Sequence, residues 1–321
     1  MFSTPTISLR AVLVAFALLV CAPIAAQTQS TARVVTLVNG FPPGGSSDLA
    51  ARAMTADMSA ALGSTVIVRN VPGVGGAIGA AEVARSRPDG TTLLFTLLGS
   101  IVSQPHLRRV EYCIDSFIPV CMYSDTPQFL LTTRNSKFAT VKDVVEAARS
   151  APGRVAYASL GVASFPHIIT ASFASAAGVD MLHVPFKGAT QFIQAMLAGE
   201  LSLVAEQPAI VAQFDLRPLA VFTAQRAPDF PQVPTMRELG FDLVYQIWGG
   251  IFAPAGTPAD TIGRLDQACR QSLASAATGE TLRRMHVNIR YMGNAEFGRF
   301  VRNEFERYGR LFRSLDLKQI E

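Results

Sequence analysis

Residues 34–52, VVTLVNGFPPGGSSDLAAR, confine this chain more than any other stretch. Val34, Val35, Leu37 and Val38 form a short apolar run rich in β-branched side chains, the pattern of a buried strand. Gly40, Phe41, Pro42, Pro43, Gly44 and Gly45 then stop it, because prolines cannot continue a ladder and glycines admit turns closed to other residues. Leu49, Ala50, Ala51, Ala53 and Met54 follow in a helical pattern. Ser46 or Ser47 is expected at the N-cap and Asp48 in the first turn. The first N–H groups of a helix lack partners within it and carry partial positive charge, so this turn suits a carboxylate or a phosphate. The same turn also serves as a plain β–α connection without a ligand.

The preceding residues read as a leader. Arg10 is the only charge ahead of the apolar run 11–21, and Ala25, Ala26 and Gln27 come after it. This is the layout of a secretory signal peptide, 1–26, cleaved after Ala26; the run is short for a membrane span. Val20 stands where lipid attachment at Cys21 would call for a small residue. Loss of Arg10 leaves 27 basic residues against 24 acidic ones, a net charge of +3. With 49% hydrophobic and 16% charged residues, the 321-residue chain can build a core for one large or two modest domains. No basic run or aromatic-basic face points to nucleic acid. No later segment is apolar over a spanning length, so a soluble mature chain outside the cytoplasm is expected. Cys113, Cys121 and Cys269 remain. Cys113 and Cys121 can pair across a short hairpin, or all three can be small buried apolar side chains. No cysteine–histidine spacing fits zinc, and neither metal nor cofactor is expected.

Further strands are read at 65–69, 91–97, 117–123, 129–133, 155–158, 181–184, 201–205 and 219–222, with helices at 80–85, 141–150 (capped by Thr140), 165–177 and 189–197. This alternation predicts α/β architecture with mostly parallel sheets flanked by helices. NVPGVGGAIG at 70–79 opens a second helix after a strand but fails the dinucleotide fingerprint, since Ile78 occupies the third glycine position. WGGIFAPAGTP at 248–258 reads as a crossing between lobes, with Thr257 capping the next helix, Pro258 in its first position and Asp260 completing a capping-box-like pattern. Phe297, Phe300, Val301, Phe305, Tyr308, Leu311, Phe312 and Leu315 trace the apolar stripe of a last helix, whose Arg302, Glu304, Glu306, Arg307 and Arg310 read as a solvated face. The loop 159–164, SLGVAS, mirrors Gly44–Ser47, and two lobes facing each other with such turns make a cleft for a small anion.

At this point the sequence resembles the Bug-type extracytoplasmic solute receptors, the binding proteins of tripartite tricarboxylate transporters. The resemblance is carried by NGFPPGGSSDLAAR at 39–52, NVPGVGGAIGAAEVARSRPDGTTLLF at 70–95, HVPFKGA at 183–189, VPTMRELG at 233–240 and WGGIFAPAGTP at 248–258, in family order across the mature chain. It implies a two-lobed periplasmic binding protein of the type II class, with a discontinuous first lobe (31–131 plus 250–321) and a second at 132–249. Such receptors hold carboxylates by backbone groups and hydroxyls, often through waters. Carried over by position, the ligand-binding residues are Phe41, Gly44, Gly45, Ser46, Ser47, Asp48, Ser100, Ser103, Ser159, Gly161, Ser164 and His167. Glu206 joins them at a strand end where members often carry an aspartate. There it can pair with a ligand amine or repel a second carboxylate. Asp48 also serves as a helix-start residue, and His183 and Lys187 read as structural. The implied partners are a small carboxylate and the membrane permease subunits, the chain being a monomer with no nucleic-acid partner.

Two other readings remain beside this one. A sensor would present the same ligand-closed form to a membrane kinase. A secreted hydrolase would need a nucleophile and base; no G-x-S-x-G elbow, His-Glu-x-x-His or paired carboxylates are present, and nothing completes a triad with Ser46, Ser164 and His167. No enzymatic activity is expected.

Overall fold

The computed structural model describes residues 34–315, apart from residues 163 and 187. The expected leader and Lys187 therefore lie outside the described residues. β1 (Val34–Asn39), α1 (Ser46–Leu62), β2 (Thr65–Asn70), α2 (Ala77–Ala84) and β3 (Thr92–Leu97) follow in order, then the short α3 (Gln104–Leu107) and the long β4 (Phe117–Pro127). The middle of the chain supplies β5 (Phe129–Thr133), α4 (Val141–Ser150), β6 (Ala156–Ser159), α5 (Phe165–Ala177), β7 (Leu182–Pro185), α6 (Ala189–Leu197), β8 (Leu203–Glu206), α7 (Pro208–Phe214) and β9 (Leu216–Val221). The chain closes with β10 (Gln246–Pro254), α8 (Ala259–Ala274), α9 (Ala276–Arg284), β11 (Ile289–Met292) and α10 (Asn294–Ser314).

These strands make two sheets, ordered β11-β4-β10-β3-β1-β2 and β7-β6-β8-β5-β9. The two-sheet α/β architecture is the one expected, but the mostly parallel pairing is not: five of the nine strand pairings are antiparallel. In the first sheet β1 pairs parallel with β2 and β3, while β10 runs antiparallel to β3 and β4. In the second, β6 pairs parallel with β7 and β8, while β5 runs antiparallel to β8 and β9. Each sheet is thus mixed, because the strands that carry the chain between sheets enter from the opposite end. The chain leaves the first sheet at Gln128 and returns between Val221 and Gln246.

Helices cover both faces of the first sheet. Leu37, Met54, Phe95, Ile251 and Leu265 form the core beneath α1 and α8; Val38, Ala80, Leu94, Phe252 and Phe297 lie on the other face, beneath α2 and α10. Because α1 and α2 take opposite faces, β1 is a topological switch point, where open α/β sheets present a crevice at their carboxyl edge. β6 repeats this arrangement: α5 packs into one core and α6 into another.

Several local expectations are corrected. WGGIFAPAGTP is mostly strand β10, central in the first sheet, and the crossing precedes it. Its glycines make room for packing: a Cβ on Gly249 would stand 2.3 Å from Tyr123 Oη, and one on Gly250 2.3 Å from Phe297 Cζ. Cys121 pairs with Cys269, not Cys113, which is exposed and free. The sequence offered only the nearer partner, whereas the fold lays α8 across β4. The N-cap of α1 is Gly45, because Ser47 instead donates to Asn39 Oδ1 at 2.8 Å. Pro258 is the N-cap of α8, and the Thr257 hydroxyl donates to the Pro254 carbonyl at 2.8 Å. By contrast, Thr140 caps α4 as read, and Asp143 completes a capping box with it. On α10 the charged face is only partly solvated. Glu304 is buried, accepts from Trp248 Nε1 at 3.3 Å and pairs with Arg307 at 2.8 Å, and Arg307 donates to the Val244 carbonyl at 2.9 Å. These two charges dock the last helix onto the returning crossover segment.

Candidate ligand-binding site

Three turns converge at the carboxyl edge of the first sheet. Gly40–Gly45 joins β1 to α1, Gly73–Gly76 leads into α2, and a π turn at Gly99–Ser103 follows β3. They meet at close range, through backbone at Gly40 and Gly76 and through the Ser100 and Gln104 side chains. A Cβ on Gly40 would stand 2.8 Å from Gly76 Cα, one on Gly76 2.6 Å from Ser100 Oγ, and one on Gly75 2.5 Å from Gln104 Nε2. Gly73, Val74, Gly75 and Gly76 all have positive φ (140°, 50°, 58° and 91°). Glycine takes such angles freely; Val74 is a β-branched residue held there, with its side chain in solvent. Strain of this kind gathers at functional sites.

The first loop is braced from within. Asp48, 2% exposed, accepts from the Gly44 N–H at 2.9 Å, Arg52 Nε at 3.0 Å and Asn70 Nδ2 at 2.9 Å. Burial alone would raise its pKa, but the bonds from Arg52, Gly44 and Asn70 outweigh it and hold the carboxyl below its ordinary value. Both oxygens are engaged, so Asp48 fixes the loop's shape. The Phe41 carbonyl accepts from Asn70 Nδ2 at 3.1 Å, with the residue half-buried. Gly44, Gly45 and Ser46 are exposed, and no side chain caps the start of α1. Its first-turn N–H groups are the positive end of the helix dipole, at the carboxyl edge of the first sheet. Ser100 is buried against Thr96 and donates to the Leu97 carbonyl at 3.2 Å; Ser103, also buried, ends the π turn.

At the carboxyl edge of the second sheet, Ser159 ends β6. Its hydroxyl lies 2.6 Å from His183 Nε2 and accepts from the Gly161 N–H at 3.1 Å, and Gly161 has φ +109°. His183 stacks on His167 with ring centroids 3.9 Å apart and on Tyr157 at 5.1 Å. Burial first, then neighbouring His183, lowers the His167 pKa to about 4, so its imidazole is neutral at pH 7. Ser164 is the N-cap of α5, but its side chain caps nothing: Oγ is buried without a hydrogen-bond partner among the described residues. A buried hydroxyl of this kind calls for an explanation, and a ligand oxygen supplies one. Glu206 ends β8, next to β6. It is 7% exposed, and burial pushes its pKa up to about 7 against the smaller opposing effect of the Gln207 N–H.

The candidates therefore fall into two groups. Phe41, Gly44–Asp48, Ser100 and Ser103 gather on one sheet edge; Ser159, Gly161, Ser164, His167 and Glu206 gather on the other. α10 touches both sides, since Phe165 at the start of α5 stacks on Tyr308 at 6.4 Å and His106 of α3 lies 2.9 Å from the Phe305 carbonyl. Sequence reasoning missed Gly73–Gly76, Thr96 and Gln104, whose Oε1 is buried without a partner. The signal lies in PGVGG, which the sequence shows as a second helix start after a strand but does not tie to the first loop. No helix among the described residues is long and apolar enough to cross a membrane.

The family model described as tripartite tricarboxylate transporter family receptor matches residues 50–317. A UPF0065 protein from the tcbD-tcbE intergenic region of Pseudomonas sp. strain P51 is 32% identical over 87% of this chain and 85% of its own length. Protein BugT of Bordetella pertussis is 29% identical over 93% of this chain and 94% of its own. Among solved structures, a Rhodopseudomonas palustris protein with adipate has a TM-score of 0.76 at 27% identity, covering 91% of this chain and 100% of that one. MatC from the same organism, with bound malate, has a TM-score of 0.72 at 26% identity, covering 88% and 99%. The chain belongs to the tripartite tricarboxylate transporter receptor family, with Bug proteins among its relatives.

Proposed function

We propose that this protein is an extracytoplasmic receptor that captures a small carboxylate in the cleft between its lobes and delivers it to the permease subunits of a tripartite transporter. The carrying observation is that the carboxyl edge of each sheet ends in a glycine–serine turn and an uncapped helix start, with buried Ser164 Oγ lacking a hydrogen-bond partner among the described residues on the second. The adipate and malate bound to the two similar proteins support this ligand class. In this reading the α1 first turn and Ser46 hold the carboxylate from one lobe, and Ser164 and the α5 first turn from the other. Each helix terminus contributes about 0.3–1 kcal/mol when exposed and up to about 2 kcal/mol when partly buried. Asp48, Ser47 and Ser100 position the loops, and Glu206 closes the far end of the pocket. The lobes are 31–131 plus 250–321 and 132–249, and the receptor works as a monomer without turnover. Export through the leader 1–26 agrees with the Cys121–Cys269 disulfide, a bond of oxidising compartments.

The test is calorimetric titration with a panel of mono-, di- and tricarboxylates. A binder at a hundredfold excess over Kd should stabilise the fold by about 2.7 kcal/mol. Gly44→Asp, which puts a negative charge beside the α1 start at an exposed position, should abolish binding while the variant stays folded. Unchanged affinity in that variant would place the ligand elsewhere.

A further inference from the structure

A cavity of about 820 Å³ shares no lining residue with the proposed carboxylate site. Its size falls within the roughly 300–1,000 Å³ of small-molecule sites. Pro127 at the end of β4 and Gln246 at the start of β10 line it, so the two crossing segments form part of its wall. Pro208 and residues 223–230 contribute from the second sheet, and Arg283, His286–Asn288 and Arg290 from the turn between α9 and β11.

The chemistry of this lining is specific. Pro127, Pro208 and Pro228 fix their backbone torsions, and the Phe230 ring is held against Phe129 with centroids 4.9 Å apart, so this wall is preformed. Three arginines face one acid, Asp229. Two are committed elsewhere: Arg290 pairs with buried Asp125 at 2.7 Å, and Arg226 with Glu238 at 3.0 Å. Arg283 is exposed and has no ion-pair partner among the described residues. His286, beyond the end of α9, has φ +54°, a left-handed position that glycine takes without penalty. It nonetheless lines the cavity, and its N–H donates to the Arg283 carbonyl at 2.9 Å.

We propose that this cavity is a second ligand site, taking a small anion with a flat apolar body: Arg283 and His286 hold the anionic group, and Phe230, Val287 and Pro208 hold the body. The proposal rests on the cavity and stands independently of carboxylate capture in the first site. Because its walls come from both sheets and from the crossing segments, an occupant contacts every part that moves when the sheets change their mutual angle.

The probe is 1-anilinonaphthalene-8-sulfonate, whose sulfonate and fused rings match this lining, titrated by fluorescence against the full chain. One dye per chain is expected, with Kd weakened at least tenfold by Arg283→Glu. His286→Gly should weaken binding while the melting temperature holds or rises, separating a ligand role from a structural one. Gly44→Asp should bind the dye as the unaltered chain does. Equal affinity in Arg283→Glu, loss of binding in Gly44→Asp alone, or several weak dyes per chain indifferent to all three substitutions would each overturn the proposal.

Discussion

Glu206 and His167 pull the acid stability of the second sheet in opposite directions. The folded pKa of His167, about 4, lies below the 6.5 of a free imidazole, so stability is lost as pH falls through that window. The folded pKa of Glu206, about 7, lies above the 4.5 of an exposed glutamate, so its contribution is present at low pH and lost as pH rises through 7. Between pH 7 and pH 5 the two nearly offset. Glu206→Gln removes one of them, and the variant should lose about 2 kcal/mol more than the unaltered chain over that interval. Urea denaturation at the two pH values reads the difference; equal losses would show that Glu206 is ionised throughout. The sequence singled out both residues, yet not their protonation. That depends on Tyr157 and His183 stacking on His167, and on Phe129 pairing beside Glu206, contacts made only by tertiary packing.

Among elements, the strands and helices with strong periodicity were legible. α5, α6 and the capped α4 fall on their expected residues, because apolar spacing and cap chemistry are local. The short α7, α9 and β11 were not read, since their identity comes from packing on neighbours. The Gly73–Gly76 turn was visible as a glycine run, but its place against Gly40 and Ser100 required knowing that β2 and β3 flank β1. This close approach makes a sharp prediction. Gly76→Ala forces a Cβ against Ser100 Oγ at a positive φ and should cost about 2–4 kcal/mol, combining overpacking with a left-handed penalty. Gly178→Ala, at an equally left-handed helix end with open space around it, should cost only about 1–2 kcal/mol. Chemical denaturation of both variants separates the two contributions, and equal costs would mean that Ser100 yields freely.

Over the whole molecule, one chain is divided between two sheets, and the Cys121–Cys269 bond joins the parts of the first that flank the second. The cysteines are 148 residues apart. Constraining so long a loop in the unfolded chain is worth roughly 5 kcal/mol in the chain-entropy account. Cys121→Ser with Cys269→Ser should lower the unfolding free energy by up to that amount, whereas Cys113→Ser should leave it unchanged; a null effect of the double variant would mean that the reduced chain is equally restrained. Sequence spacing pointed to Cys113 because it measures distance along the chain and not across the fold. Every strand of the second sheet, from Phe129 to Val221, lies inside the covalent ring that this bond closes. The second sheet is therefore a loop tied at its neck. Should it melt alone under heat or tension, its ends stay fastened to an intact first sheet, and it can refold from an anchored start without its two flanking parts drifting apart.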